Sequence, residues 1–325
     1  MVPAILKKAF GLLPQEYVCV ALEDMQDHPS VFMTAKGSAA WIDVTKSHMV
    51  LGYKPLLIGI WTGETDSELA DALQVCLSFT GGAFKAGKDW RGFNTAANCI
   101  ARLELTRLNH ELKLPGLAIF SGDFGEHSFL PAHQEWANRL ADRVRSKPNS
   151  DANLAGNLYE QVRIAYCIPR TISVITVKDN DLLNFFPTDL HGAVGSDHYL
   201  SSLRIGGMAC GQVENVDRIV ISRVDVDSFR QTYALGKNHM KSLQPADNFK
   251  VAQLSSQSGI PVYPNATDYL ELEREGQMDA GIHRMFSYKV VGRGQVRKSK
   301  ALAHIHRYYA QWRINHDRSA EYFYH

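Results

Sequence analysis

The chain has 325 residues, 45% of them hydrophobic, and sets 35 Lys and Arg against 34 Asp and Glu for a formal charge of +1. That length and apolar content fill more core than one small domain needs and point to two domains. The near-neutral balance creates no overall field for nucleic acid or an anionic membrane. Five cysteines, at 19, 76, 99, 167 and 210, are odd in number and lack CxxC spacing. They argue against a disulfide framework or a zinc cage and suit a reducing cytoplasm.

Residues 1–13 (MVPAILKKAFGLL) place a short apolar stretch around two lysines, with no long apolar core and no small-residue cleavage site, and predict an amphipathic opening helix. No window approaches the ~20 apolar residues of a membrane-crossing helix. Runs at 17–22 (YVCVAL), 31–34 and 55–62 (PLLIGIWT) are strand-like, and 131–145 has amphipathic-helix spacing, so the first half reads as mixed α/β. Gly82, Gly87 and Lys88 have the GxxxxGK spacing of a phosphate loop after the apolar run 73–79. Asp89, however, stands where a neutral Ser or Thr should ligate Mg²⁺, which favours a surface loop over nucleotide hydrolysis. The polar stretch 146–153 (SKPNSDAN) marks a boundary and divides the chain into 1–150 and 151–325.

The second half opens on its most informative segment. Residues 171–177 (TISVITV) form a β-branched run of strand length, ended by a turn at Lys178, Asp179, Asn180 and Asp181. A second extended run, 182–186 (LLNFF), enters Pro187, which holds Phe186 away from helix. Thr188 and Asp189 then sit at the mouth of a hairpin, where a hydroxyl, an amide side chain and free backbone N–H groups can hold an anion such as a phosphate. Strand-like runs recur at 199–205 (YLSSLRI) and 219–221, and Lys237 and Lys241 flank a glycine-containing loop. Residues 299–315 carry Leu302, Ile305, Tyr309 and Trp312 at helical spacing and predict a docking helix. On such a helix His304 and His306 lie about 200° apart and cannot chelate a metal from one face. Cys167 and Cys210 have no His arranged to make a thiolate, so neither reads as a nucleophile. Gly125-Glu126-His127 echoes Gly281-Ile282-His283 and invites a search for duplication.

The segment 167–192 resembles the flavin reductase-like family, whose FMN-binding split barrel opens with a strand ending in Thr, a turn, and Asn-x-x-Pro-x-Ser or a close variant. The matching positions are Thr176, Asn184, Pro187 and Thr188, and the resemblance runs over roughly residues 156–292. This chain departs from the pattern in its acidic, glycine-free turn, in Thr188 directly after the proline, and in Arg204-Ile205-Gly206-Gly207.

The resemblance implies a β-rich α+β protein with a split β-barrel and C-terminal docking helix in its second half. The mixed α/β first half is then a domain of its own or a degenerate second barrel. Such flavoproteins are usually homodimers with the cofactor near the subunit interface, so a degenerate barrel would make the chain an intramolecular pseudo-dimer. The implied cofactor-binding residues are Thr176, Asn184, Thr188 and Asp189, then His191, Arg204 and Lys237. His191 could face a ring carbonyl or the phosphate, and Asp189 would turn away to cap a local turn. The implied activity passes electrons from NADH or NADPH through FMN to a small-molecule acceptor, with no obligatory catalytic acid or base. The alternative is a non-catalytic flavin-binding or interaction protein. No metal, nucleic acid or membrane enters either reading.

Overall fold

Runs of β-branched and alternating residues dominate the chain, and they fold into two antiparallel sheets of one plan. The computed structural model describes residues 16–38, 40–63, 71–81, 99–112, 114–145, 156–251 and 253–323. The expected opening helix, the glycine-lysine loop at 82–89 and the boundary at 146–153 lie outside the described residues. β1 (Tyr17–Ala21) is followed by β2 (Ser30–Ala35), β3 (Trp41–Asp43), β4 (His48–Tyr53), β5 (Leu56–Trp61), β6 (Gln74–Thr80), β7 (Cys99–Leu108) and β8 (Leu117–His127). The last seven make one sheet, ordered β3-β2-β6-β7-β8-β5-β4. Helices α1 (Ala132–Arg145) and α2 (Leu158–Ala165) lead to β9 (Arg170–Thr171), β10 (Ser173–Asp179), β11 (Leu182–Thr188), β12 (His191–Val194) and β13 (His198–Arg204). Next come α3 (Met208–Glu214), β14 (Arg218–Val224), α4 (Phe229–Ala234), a 3-10 segment at Leu235–Met240, and the two-residue strands β15 (Gln244–Pro245), β16 (Gln253–Leu254) and β17 (Pro261–Val262). Two long strands, β18 (Ala266–Ala280) and β19 (His283–Gln295), precede β20 (Leu302–His306), α5 (Arg307–Asn315) and β21 (Tyr322–Phe323).

The second large sheet is ordered β12-β13-β19-β18-β14-β10-β11-β15. Setting aside the short edge strand β15 and numbering each half from its own first strand, β2 or β10, both sheets read 2-1-5-6-7-4-3. In each, the two edge strands are consecutive in sequence. β11 reaches β12 through Asp189 and Leu190 alone, a link that spans about 11 Å at full extension. Seven flat strands at ~4.8 Å spacing would set those edges almost 30 Å apart, so the sheet has to curl until they meet. The first-half sheet shares this strand order, with its own edge strands β3 and β4 likewise consecutive in sequence.

Alternation decides what each barrel encloses. Ile175 and Val177 of β10 point inward with Phe186, Tyr199, Leu203, Ile219, Ile221, Leu272, Phe286 and Tyr288, and Ala209, Cys210 and Val213 of α3 plug that interior. The chain ends cross the expected boundary. β1 pairs with β20 in a four-stranded sheet, β21-β1-β20-β9, between the barrels. Val18, Val20, Ala303 and Ile305 face the first-half core, while Cys19, Ala21 and Leu302 pack on the outer face of the second barrel. Residues 299–315 are thus not one helix, since the helix begins at Arg307 and His304 and His306 lie on a strand. Their spacing of two puts them on one side of it rather than on opposite faces.

Candidate functional site

The 171–188 hairpin forms as its sequence suggests, with Ser173 opposite Thr188 and Asp179 opposite Leu182, and Asn180 takes the left-handed turn position at φ 53°. It does not work as one shelf. Thr176 shares the outward face of Val174, is fully buried, and its hydroxyl has no hydrogen-bond partner among the described residues. Asn184 points inward, but its amide already donates to Gln212 Oε1 at 2.8 Å and to the Asn238 carbonyl at 3.1 Å. It fixes the 3-10 segment instead of offering donors to a ligand. His191 is buried, and the Thr171 carbonyl 3.1 Å from Nε2 requires the proton there, so Nδ1 accepts from Tyr199 O–H at 2.7 Å. Burial, reinforced by the Arg170 charge, lowers its pKa to about 4. Lys237 is exposed and does not line the cleft described next.

Three of the seven expected residues, Thr188, Asp189 and Arg204, do come together. They line a cleft of about 350 Å³ with Tyr53, Ser202, His239, Met240, His283 and the apolar Pro187, Leu190, Leu203, Ala209 and Cys210. Strand geometry places it. Leu200 on β13 and Met285 on β19 lie in an apolar seam between the halves. Along the same faces, Ser202 and Arg204 come two and four residues further on β13 and His283 two further on β19, so the seam turns polar where it ends. Tyr53 from the first half meets the His283 ring edge-on at 4.7 Å. This approach depends on Gly281 (φ +60°), where a Cβ would stand 2.1 Å from the Lys54 carbonyl oxygen.

Polar groups without partners stand around the cleft, with His283 Nδ1 packed toward Gly52, 3.1 Å from where a Cβ there would stand. Ser202 Oγ and His283 Nδ1 are buried and unpartnered among the described residues, and the exposed Arg204 guanidinium makes no hydrogen bond or ion pair there. Burial, then the Arg204 charge, lowers the His283 pKa to about 4, leaving a neutral imidazole at pH 7. His239 donates through Nε2 to the Pro187 carbonyl at 2.7 Å, and burial lowers its pKa as well. Asp189 does not cap a turn, since it is the Thr188 hydroxyl that accepts from Leu190 N–H, at 3.3 Å. Asp189 Oδ2 instead accepts from Tyr166 O–H at 2.6 Å and from His304 Nε2 at 2.9 Å. Burial favours its neutral form, but the His304 hydrogen bond and charge, the Tyr166 hydroxyl and the Arg170 charge outweigh it and hold the carboxyl well below the usual range. Burial raises the Cys210 thiol, in keeping with an inert lining group.

A second polar cluster lies apart. His127, Glu135 and Glu160 offer ligand atoms within 4.8 Å of one another. Arg139 bonds both carboxylates, at 2.5 and 3.0 Å, and Arg163 bonds Glu160 at 3.0 Å, so guanidinium groups already supply the positive charge.

About half of the chain resembles flavin reductases and FMN-binding split-barrel proteins in fold. The NADH:FAD oxidoreductase of Streptomyces globisporus C-1027 is 14% identical, with 48% of this chain and 94% of that one covered at a TM-score of 0.41. An FMN-binding protein from Thermus thermophilus is 18% identical, covering 46% and 80% at 0.36. The styrene monooxygenase flavin reductase of Pseudomonas putida S12 is 15% identical, covering 42% and 87% at 0.34. No protein-family model and no curated protein matches the chain. At these identities and scores the likeness describes fold and carries no chemistry over.

Proposed function

We propose that the chain is an FMN-binding oxidoreductase that takes electrons from NADH or NADPH and passes them to a small acceptor. The observation that carries this reading is the end of the seam: a buried, unpartnered Ser202 Oγ and the His283 imidazole beside an unpaired Arg204, in a cleft whose remaining lining is Thr188, Asp189, rings and aliphatic groups. Its volume falls at the lower end of the usual range for small-molecule sites, roughly 300–1,000 Å³. A flat heteroaromatic ring with polar edges and a phosphate suits such a donor set. Tyr53, Leu203 and Met240 would cover the ring, the Ser202 hydroxyl would meet its edge, the His283 imidazole would line the site, and Arg204 would take the phosphate. FMN bound there would supply hydride acceptance and onward electron transfer. The residues bind and orient it, and their apolar neighbours exclude water.

The test is flavin retention. Purified protein mixed with FMN and desalted is expected to keep near-stoichiometric oxidised-flavin absorbance, and Arg204→Ala to weaken binding about tenfold or more. Folded protein that retains none and shows no saturable flavin quenching would end the reading. NAD(P)H oxidation with FMN present separates a reductase from a protein that only binds flavin.

A further inference from the structure

The two barrels agree in register as well as in strand order. Along β5 and β8 the rungs are Leu57–Ser121, Gly59–Ile119 and Trp61–Leu117, and along β13 and β19 they are Leu200–Ser287, Ser202–Met285 and Arg204–His283. The bond beyond the last rung repeats too: Thr62 N–H donates to the Gly116 carbonyl at 2.9 Å and Ile205 N–H to the Ile282 carbonyl at 2.9 Å. This correspondence sets Leu117 opposite His283 in role, so the Gly-x-His echo at His127 is not the structural one. His127 closes the far end of β8.

These matching faces bury one another. Met49, Leu51, Leu57, Leu117 and Ile119 of the first half share a core with Val194, Leu200 and Met285 of the second. A patch meeting its own counterpart is the geometry of a twofold dimer, here closed within one chain.

The two ends of the seam differ in chemistry. At one end Ser202, Arg204 and His283 face Tyr53 across the open cleft. At the other their counterparts are Gly59, Trp61 and Leu117, and the Trp61 ring lies on Gly195 (φ +63°), where a Cβ would be 3.3 Å from it. At the mirror position the partly buried Trp61 ring covers Gly195, and the matching rungs carry neither cation nor imidazole.

We propose that the first half serves as a built-in partner: it lends Tyr53 to the cleft at Arg204 and His283, covers the mirror position with Trp61, and leaves the monomer as the working unit with one ligand per chain. The surface that a second copy would need is already covered. The proposal rests on the flavin reading for its probe only, since the mass of the free protein bears on it independently.

Three measurements on the full chain test it. Sedimentation of the ligand-free protein is expected to give the 36.3 kDa monomer, and a dimer at micromolar concentration would overturn it. FMN titration followed by fluorescence is expected to saturate at one per chain, whereas two per chain would show that the mirror position at Trp61 is open. Tyr53→Ala should weaken FMN roughly three- to tenfold with mass and far-UV spectrum unchanged, and unaltered affinity would remove the first half from the site. If no FMN binds at all, the flavin reading fails and the sedimentation result decides the pairing by itself.

Discussion

Asp189 joins three elements at one carboxylate oxygen. It follows β11, accepts from Tyr166 at the end of α2, and accepts from His304 on β20, while retaining 23% side-chain exposure toward the cleft. The neighbouring Arg170, 6% exposed, adds a buried positive charge. Asp189→Asn keeps the shape but removes the counter-charge, so Arg170 and the His304 donor lose their anion. Breaking a buried pair this way costs about 3 kcal/mol. Urea denaturation at pH 7 is expected to show that loss for Asp189→Asn, a similar loss for His304→Gln, and a double variant well short of their sum. Fully additive losses would mean that the two groups do not act as a pair. Because the folded carboxyl lies far below its unfolded value near 4, this contribution is present above pH ~4 and fades as pH falls below it.

At the scale of elements, the 3-10 segment Leu235–Met240 shows how a motif residue serves the site at one remove. Asn184 holds the Asn238 carbonyl, and Asn238 Nδ2 returns a bond to the Phe185 carbonyl at 2.8 Å. That reciprocal clasp positions His239 and Met240 on the cleft wall. Asn184→Ala leaves the buried Gln212 Oε1 unmet and the Asn238 carbonyl with only the Lys241 N–H at 3.2 Å, and a loss of about 1–3 kcal/mol in denaturation is expected, with faster amide exchange in 235–240. Unchanged exchange there would show that the segment holds its place without the clasp. The hairpin itself was legible because β10 and β11 are β-branched or aromatic and end in turn residues. β20 was not, because all five of its residues are buried between two barrels and no alternation survives, so Leu302, Ile305, Tyr309 and Trp312 read as one helical stripe. Arg204 could be picked from its place at the end of a strand, and Ser202 follows from it by the period of two. Tyr53 could not, since it reaches the cleft only across a seam that joins strands far apart in sequence.

Over the whole molecule, three histidines, His191 and His283 buried and His48 partly so, record how firmly the parts are closed. His48 in the first barrel and His191 and His283 in the second all have pKa values lowered to about 4 by burial, with Arg170 or Arg204 adding to the effect. Unfolded, each would bind its proton near pH 6.5. Between pH 6.5 and 4 the unfolded chain therefore holds more protons, and stability falls as pH falls, by up to about 1.4 kcal/mol per pH unit for each histidine. The small sheet of β1, β9, β20 and β21 packs one face into the first-half core and the other on the outer face of the second barrel, so protonation in either half draws on a shared structure. The urea midpoint is expected to drop steeply from pH 7 to pH 5, before carboxylates such as Asp189 begin to titrate, and to do so as a single transition by far-UV and tyrosine signals. A midpoint flat over that range would mean that water reaches these imidazoles in the folded state, and two separated transitions would mean that the central sheet does not couple the barrels.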